Sequence, residues 1–261
     1  MANHPRKRFG QNFLTDQAAI GRIMSAIAPT PGQLVFEIGP GRAALTTPLA
    51  ASGVELVVVE IDRDLAATLE QRASGLRVVN ADALTVDFAA LAQGRPWRLV
   101  GNLPYNISTP LLFHVLAQQP GPVDMHFMLQ KEVVERMTAS PGNKDYGRLT
   151  LGCQNLCVVA ALFNLGPDSF SPPPKVDSSF VRLVPRPQPL VAPALQAAFD
   201  RVVAQAFSMR RKTLRNSLRT LLDAQAIEAA GIDPGERPER VDISGFVRLA
   251  EAVESGDEVM R

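Results

Sequence analysis

"LVFEIGPGRAALTTPLAA", Leu34–Ala51, is the stretch whose reading decides the fold. Leu34 to Ile38 has the length and side chains of a short strand, and Ala43 to Ala51 reads as a helix. Gly39 and Gly41 sit in the turn between them, where the lack of a side chain lets a ligand approach the backbone closely. Strand, glycine turn and helix make the opening half of a crossover unit. By spacing alone the turn also fits the dinucleotide pattern G-x-G-x-x-A through Ala44.

Outward from this unit the same alternation continues. Further strands are expected at Leu56–Glu60, Arg77–Asn80, Arg98–Gly101, Met125–Leu129, Cys157–Phe163 and Ser179–Val184. Helical patterns occupy Gln17–Ala28, Asp64–Arg72, Thr109–Ala117, Lys131–Thr138 and Arg148–Leu156. Strands separated by helices argue for a parallel, doubly wound α/β sheet. "PRPQPLVAP", Pro185–Pro193, carries four prolines in nine residues and reads as a semi-rigid linker. Beyond it only helical periodicity remains. The expected organisation is an α/β domain over residues 1–185 and a small all-helical domain over residues 186–261.

Composition narrows the class. With 261 residues, 46% hydrophobic and 20% charged, the chain can core one large domain and one smaller one. It has no run of 18 apolar residues, and "MANHPRKRFGQNFL" lacks the apolar centre of a signal peptide, so a cytoplasmic protein without a membrane partner is expected. Cys153 and Cys157 have no histidine close by in sequence; the pair reads as buried free thiols, and no metal site is expected. The net charge of +1 does not mark the whole chain as a nucleic-acid binder. The charge is instead concentrated: Gln196–Arg219 holds six basic residues against Asp200, while Asp223–Arg261 holds ten acids against four arginines.

Sites in open α/β sheets lie outside the carboxyl ends of the strands. After the glycine turn of the first strand, the second ends at Glu60, placed to accept from ribose hydroxyls, and the third leads to Asp82, placed to accept from a base amine. The fourth leads into "NLPY", Asn102–Tyr105. Here a side-chain carbonyl and the Leu103 main-chain carbonyl, stiffened by Pro104, could hold both hydrogens of an exocyclic amine while Tyr105 stacks on its ring. Such a grip would aim the nitrogen lone pair at an electrophile. No serine, histidine and acid form a nucleophile set, so direct transfer without a covalent enzyme intermediate is the expected chemistry.

"RKRFGQNFL", "EIGPGRAALT", "GNLPYNIS", "MLQKEV" and "FSPPPKVDS" together resemble the motifs of the bacterial small-subunit ribosomal RNA adenine N6,N6-dimethyltransferases, and "RRKTLRNSL" extends the resemblance into the tail. The resemblance implies a Rossmann-like methyltransferase sheet and S-adenosylmethionine as methyl donor. It implies two adjacent adenosines near the 3′ end of the small-subunit RNA as acceptors, modified during subunit assembly, and a monomer that partners the small subunit. Position by position it places Asn12, Leu14, Gly39, Gly41, Glu60, Asp82 and Asn102 at the cofactor. Asn102, Leu103 and Pro104 would form the catalytic segment, with Tyr105 and Phe170 as aromatic surfaces for the target base. A role as an RNA-binding assembly factor, and methylation of large-subunit RNA, are the alternatives.

If "SMRRKTLRNSLR" is one helix, Leu214, Leu218, Leu221 and Leu222 form a buried stripe. Arg211, Arg215 and Arg219 then form a flanking row suited to RNA phosphates.

Overall fold

The computed structural model describes residues 12–72, 76–104, 107–209 and 211–259. By contacts the chain divides into two compact units, Met1–Val134 with Ala160–Pro185, and Glu135–Val159 with Arg186–Arg261.

Among the described residues nine strands are formed: β1 (Phe13–Leu14), β2 (Leu34–Ile38), β3 (Glu55–Val59), β4 (Arg77–Val79), β5 (Trp97–Asn102), β6 (Met125–Gln130), β7 (Cys157–Leu165), β8 (Phe170–Ser171) and β9 (Ser178–Pro185). Seven make one sheet in the order β4-β3-β2-β5-β6-β9-β7, and β1 pairs with β8 apart from it. From β2 the chain winds outward through β3 to β4, then returns to build β5 and β6 on the other side. All these pairs are parallel. The point of reversal between β2 and β5 is where such sheets open a crevice for ligands.

The central strands are buried on both faces; in β2 every residue is buried, Glu37 included. The covering helix Gln17–Ile27 starts at Asp16, whose carboxylate caps the N–H groups of Ala18 and Ala19 at 2.9 and 3.1 Å. It buries Ala19, Ile20, Ile23 and Ile27, with burial of each isoleucine contributing about 1.5–3 kcal/mol.

At the base of the sheet, Arg98 of β5 grips Asp124 through two bonds of 2.7 and 2.9 Å, and its Nη2 also donates to the carbonyl of Ile27 at 2.8 Å. Arg182 adds a bond of 3.1 Å to the same carboxylate. These cations hold Asp124 below the usual carboxylate range although burial opposes them. His126 stacks on Phe180 with neither ring nitrogen hydrogen-bonded among the described residues, and burial pushes it down to about 4 although Asp124 lies 3.7 Å from its Nδ1.

Three expectations need correction. The sheet is mixed: β9 runs antiparallel to β6. No helix of crossover length lies between β7 and β9, only a short 3-10 turn, β8 and a proline-rich loop, whereas parallel strands need a crossover. Residues 135–159 belong with the helical unit and not with residues 1–134. Ala139, Tyr146 and Leu151 bury into one cluster with Phe199, Val202 and Phe246, and Asn155 Oδ1 accepts from the Val191 N–H at 2.8 Å.

The third correction concerns the basic segment. The helix Gln196–Ser208 ends before it, and only Leu214–Ser217 is helical within it. The N–H groups of Leu214 and Arg215 bond the carbonyls of Glu236 and Pro234 instead of continuing a helix from the preceding turn. Leu214, Leu218 and Leu222 are buried as the stripe requires, with Leu221 half-buried, but Arg211, Arg215 and Arg219 are exposed from three successive local structures and not from one helix face.

Cys153 and Cys157 are free, buried thiols, and burial pushes both up to about 12. Among the described residues, no helix is long and apolar enough to cross a membrane.

Candidate active site

A cavity of about 300 Å³ opens at the carboxyl ends of β2, β3 and β5. Its wall brings together Asn12, Leu14, Gly39, Gly41, Glu60, Asp82, Asn102, Leu103 and Pro104, nine residues drawn from five separate stretches of sequence.

The glycine turn builds one side. Gly39, Gly41 and Ala43 take φ values of +63°, +54° and +69°, a left-handed run that postpones the helix to Thr46. The Gly39 N–H donates to the Val59 carbonyl at 2.9 Å. A Cβ on Gly41 would lie 2.9 Å from the ring of Phe13, so this position requires glycine for space as well as for conformation. Gly101, opposite Ile38 in the β2–β5 ladder and one residue before Asn102, is tighter still: a Cβ there would lie 2.8 Å from the Ile38 carbonyl oxygen.

Glu60 follows β3 and is buried. Its two oxygens accept from the N–H groups of Asp62 at 2.9 Å and Gly41 at 3.3 Å, which leaves each a second lone pair. Burial raises its carboxyl, against the effect of these bonds. Asp82 follows β4 and caps the turn Ala83–Thr85, accepting from the Leu84 N–H at 3.0 Å.

The sequence reading missed Glu37, hidden inside an apolar strand pattern. Its side chain is 2% exposed, faces the cavity from β2, and its Oε2 has no hydrogen-bond partner among the described residues. Burial pushes this carboxyl up to about 8, with the charge of Glu60 adding to the effect and Thr46 opposing it. Among the described residues only Arg42, over the Phe13 ring at 4.5 Å, brings positive charge to the wall, against the carboxylates of Glu60 and Asp82. The charge balance suits a cationic ligand.

Asn102 closes the opposite side. Its Nδ2 donates to the main-chain carbonyl of Asn12 at 2.9 Å, which assigns Oδ1 as the acceptor end of the amide. The N-terminal segment is thereby tied to the strand end, and β1 is held again by β8 through Phe13 opposite Ser171 and Leu14 opposite Phe170.

Phe170 does not line the cavity. It is 5% exposed and packs in the core with Leu14, Ile20 and Phe180, because its pairing with Leu14 turns it into the sheet's covering layer. Tyr105, Arg6, Lys7 and Arg8 lie outside the described residues. Among those described, no group of three His, Cys, Asp or Glu side chains is placed to hold a metal ion.

A glycine turn, a buried strand-end carboxylate and a strand-end amide around one cavity at a sheet's reversal point define a protein of the Rossmann-like methyltransferase class. A likeness of folds supports this class: the crystal structure of the 23S rRNA methyltransferase ErmE matches with a TM-score of 0.73 and 30% identity over 93% of this chain and 100% of that one. A dimethyladenosine transferase from Plasmodium falciparum matches at 0.79 and 25%, over 94% and 98%. The chain belongs to the ribosomal RNA adenine dimethylase family, whose sequence model matches residues 2–254. Among its relatives, the ribosomal RNA small subunit methyltransferase A of Pseudomonas aeruginosa is 53% identical over 94% of this chain and 93% of its own. The same enzyme of Acidithiobacillus ferrooxidans is 52% identical over 97% and 96%.

Proposed function

We propose that this chain transfers methyl groups from S-adenosylmethionine to the N6 atoms of two adjacent adenosines near the 3′ end of small-subunit ribosomal RNA. The observation that carries the reading is the convergence of Asn102, Leu103 and Pro104 with Gly39, Glu60 and Asp82 on one cavity. Ribosomal RNA adenine dimethylation by S-adenosylmethionine is the activity of the family; the small subunit as partner rests on the names of the relatives at 53% and 52% identity.

The cofactor supplies an electrophilic methyl group on a positively charged sulfur. The protein's part is positioning. Gly39 and Gly41 give main-chain access for the cofactor's amino-acid end, Glu60 accepts from its ribose and Asp82 from its base. Asn102 Oδ1 and the Leu103 carbonyl accept the two N6 hydrogens of the target adenine, so that the nitrogen lone pair is drawn out of conjugation with the ring and aimed at the methyl group. Alignment of this kind is worth a large part of a barrier when no general base is required. After one methyl has been added and the resulting N6 cation has lost a proton to water, only one hydrogen remains, so the second transfer leaves one of the two acceptors unused and requires the base to rotate.

Tyr105 is assigned as the stacking surface for that base. Phe170 acts indirectly, by holding Leu14 and the β1 segment in place. Arg211, Arg215 and Arg219 in the helical unit supply phosphate contacts that position the enzyme on RNA, while the cavity selects the base. The enzyme acts as a monomer in the cytoplasm, on immature small subunits.

Incubation with labelled S-adenosylmethionine and unmethylated small subunits, followed by nucleoside mapping, tests the reading. Label in N6,N6-dimethyladenosine of small-subunit RNA is expected. Label only in large-subunit RNA would favour the activity named for the ErmE neighbour.

A further inference from the structure

We propose that Glu37 is a proton-linked discriminator in the cofactor cavity: it holds a proton in the empty site and releases it to solvent when a ligand with a sulfonium charge occupies the cavity. The neutral thioether product would leave that proton in place. This inference rests on the assignment of the cavity to S-adenosylmethionine.

The geometry supports it in three ways. The carboxyl is 2% exposed, yet it belongs to the cavity wall, so water is withdrawn from it while a bound ligand is not. Among the described residues Oε2 has no partner; burial of that oxygen outweighs the hydrogen bonding of the carboxyl to Thr46, and the group stays neutral until an opposing charge arrives. Gly39 and Gly41 of the turn that follows β2 line the same cavity, and neither carries a side chain that could stand between Glu37 and a ligand.

The charged groups around Glu37 point the same way. Glu60 from the end of β3, with Asp62 beside it, and Asp82 after β4 all add negative potential, which favours the protonated form in the empty site. Arg42 is the cation of the wall among the described residues and lies over the Phe13 ring. A sulfonium ion entering this enclosure reverses the balance, and the carboxyl ionises near a neutral pH because burial has already pushed it up to about 8. After transfer, sulfur has lost its charge and the ionised carboxyl has lost its counter-ion. Reprotonation then removes the reason for tight binding, and the product is let go.

Calorimetry of the full-length protein with S-adenosylmethionine and with S-adenosylhomocysteine, in buffers of different ionisation heat at pH 7, reads the proton directly. The ligands' own amino groups titrate identically with wild type and with Glu37→Gln, so the difference between the two proteins isolates the proton of Glu37. The charged donor should release more than half a proton beyond that seen with the product. Its affinity should rise by several-fold per pH unit below pH 8, and the product's should not. Glu37→Gln should abolish the excess proton and Glu37→Asp should restore part of it. Equal proton release for the two ligands in the wild type would overturn the inference without recourse to any variant. An excess unchanged in Glu37→Gln would overturn it as well. Failure of both ligands to bind would instead overturn the cofactor assignment and the inference with it.

Discussion

Gly101→Ala perturbs the point on which the site depends. Gly101 pairs with Ile38 across the β2–β5 ladder, one residue before Asn102 and one residue from Gly39 on the partner strand. A methyl group there would sit 2.8 Å from the Ile38 carbonyl oxygen and 2.9 Å from Leu103 Cδ2. The leucine can turn aside, but the carbonyl is main chain held in a parallel ladder. Overpacking of this kind costs about 1–3 kcal/mol, and at roughly 2–4 °C per kcal/mol the melting temperature should fall by about 2–12 °C. To reach ordinary contact the strand ends must separate by about half an ångström, enough to displace Asn102 from an aligned geometry and slow single-turnover methylation by about 10-fold. Gly21→Ala is the control: nothing lies within 4 Å of its Cβ and it sits in a helix, so it should be neutral or stabilise by up to about 1 kcal/mol. Thermal melts and quench-flow on both variants decide the matter. If Gly101→Ala melts within 1 °C of wild type and turns over normally, the close approach of β2 and β5 is not what sets the site.

Glu60→Ala should weaken S-adenosylmethionine binding by about 1.5–3 kcal/mol, the scale of hydrogen bonds to a charged group; calorimetry with unchanged affinity and an intact fold would remove Glu60 from the site. His126, held neutral by burial, should make the fold acid-sensitive. The unfolded chain takes up a proton that the folded chain refuses, so stability is complete above about pH 6.5 and falls by about 3 kcal/mol as pH drops to about 4. Urea titrations should show a shallower loss over that window in His126→Leu. Changing Arg211, Arg215 and Arg219 together to Glu should abolish binding to the small subunit with cofactor affinity intact. Neutral replacements should lower the salt dependence by about one log-log unit per lost contact, and wild-type binding by the triple variant would move the docking surface elsewhere.

The sequence was most legible where a local pattern and a strand end coincide. Gly39, Glu60, Asp82 and Asn102 each follow a strand, and a strand end in a doubly wound sheet has only one place to point, so four separate motifs meet in one cavity. Glu37 was not legible because in "LVFEI" it lies inside a run that reads as core, and its burial is a property of both neighbouring strands. Gly101 gives no local sign either, since the atom that excludes a side chain there belongs to Ile38, far away in sequence. The basic segment misled for the opposite reason. Its 3.6-residue period is real, and its leucines are buried, but the carbonyls of Pro234 and Glu236 capture the N–H groups that a continuous helix would need. Residues 135–159 likewise read as one more helical crossover; their place in the second unit is decided by partners such as Phe199 and Phe246.

The central claim is that Asn102 acts on the target amine, and single-turnover methylation by Asn102→Ala tests it most directly. The substitution also unties the Asn12 carbonyl, a single hydrogen bond worth about 1 kcal/mol, so cofactor affinity should fall by no more than about 10-fold. The methylation rate at saturating cofactor and RNA should fall by about 10²-fold or more, by analogy with loss of one preorganised group at a reacting centre. A wild-type rate at saturation, with the defect confined to KM, would show that the side chain binds substrate uniformly and would contradict the account.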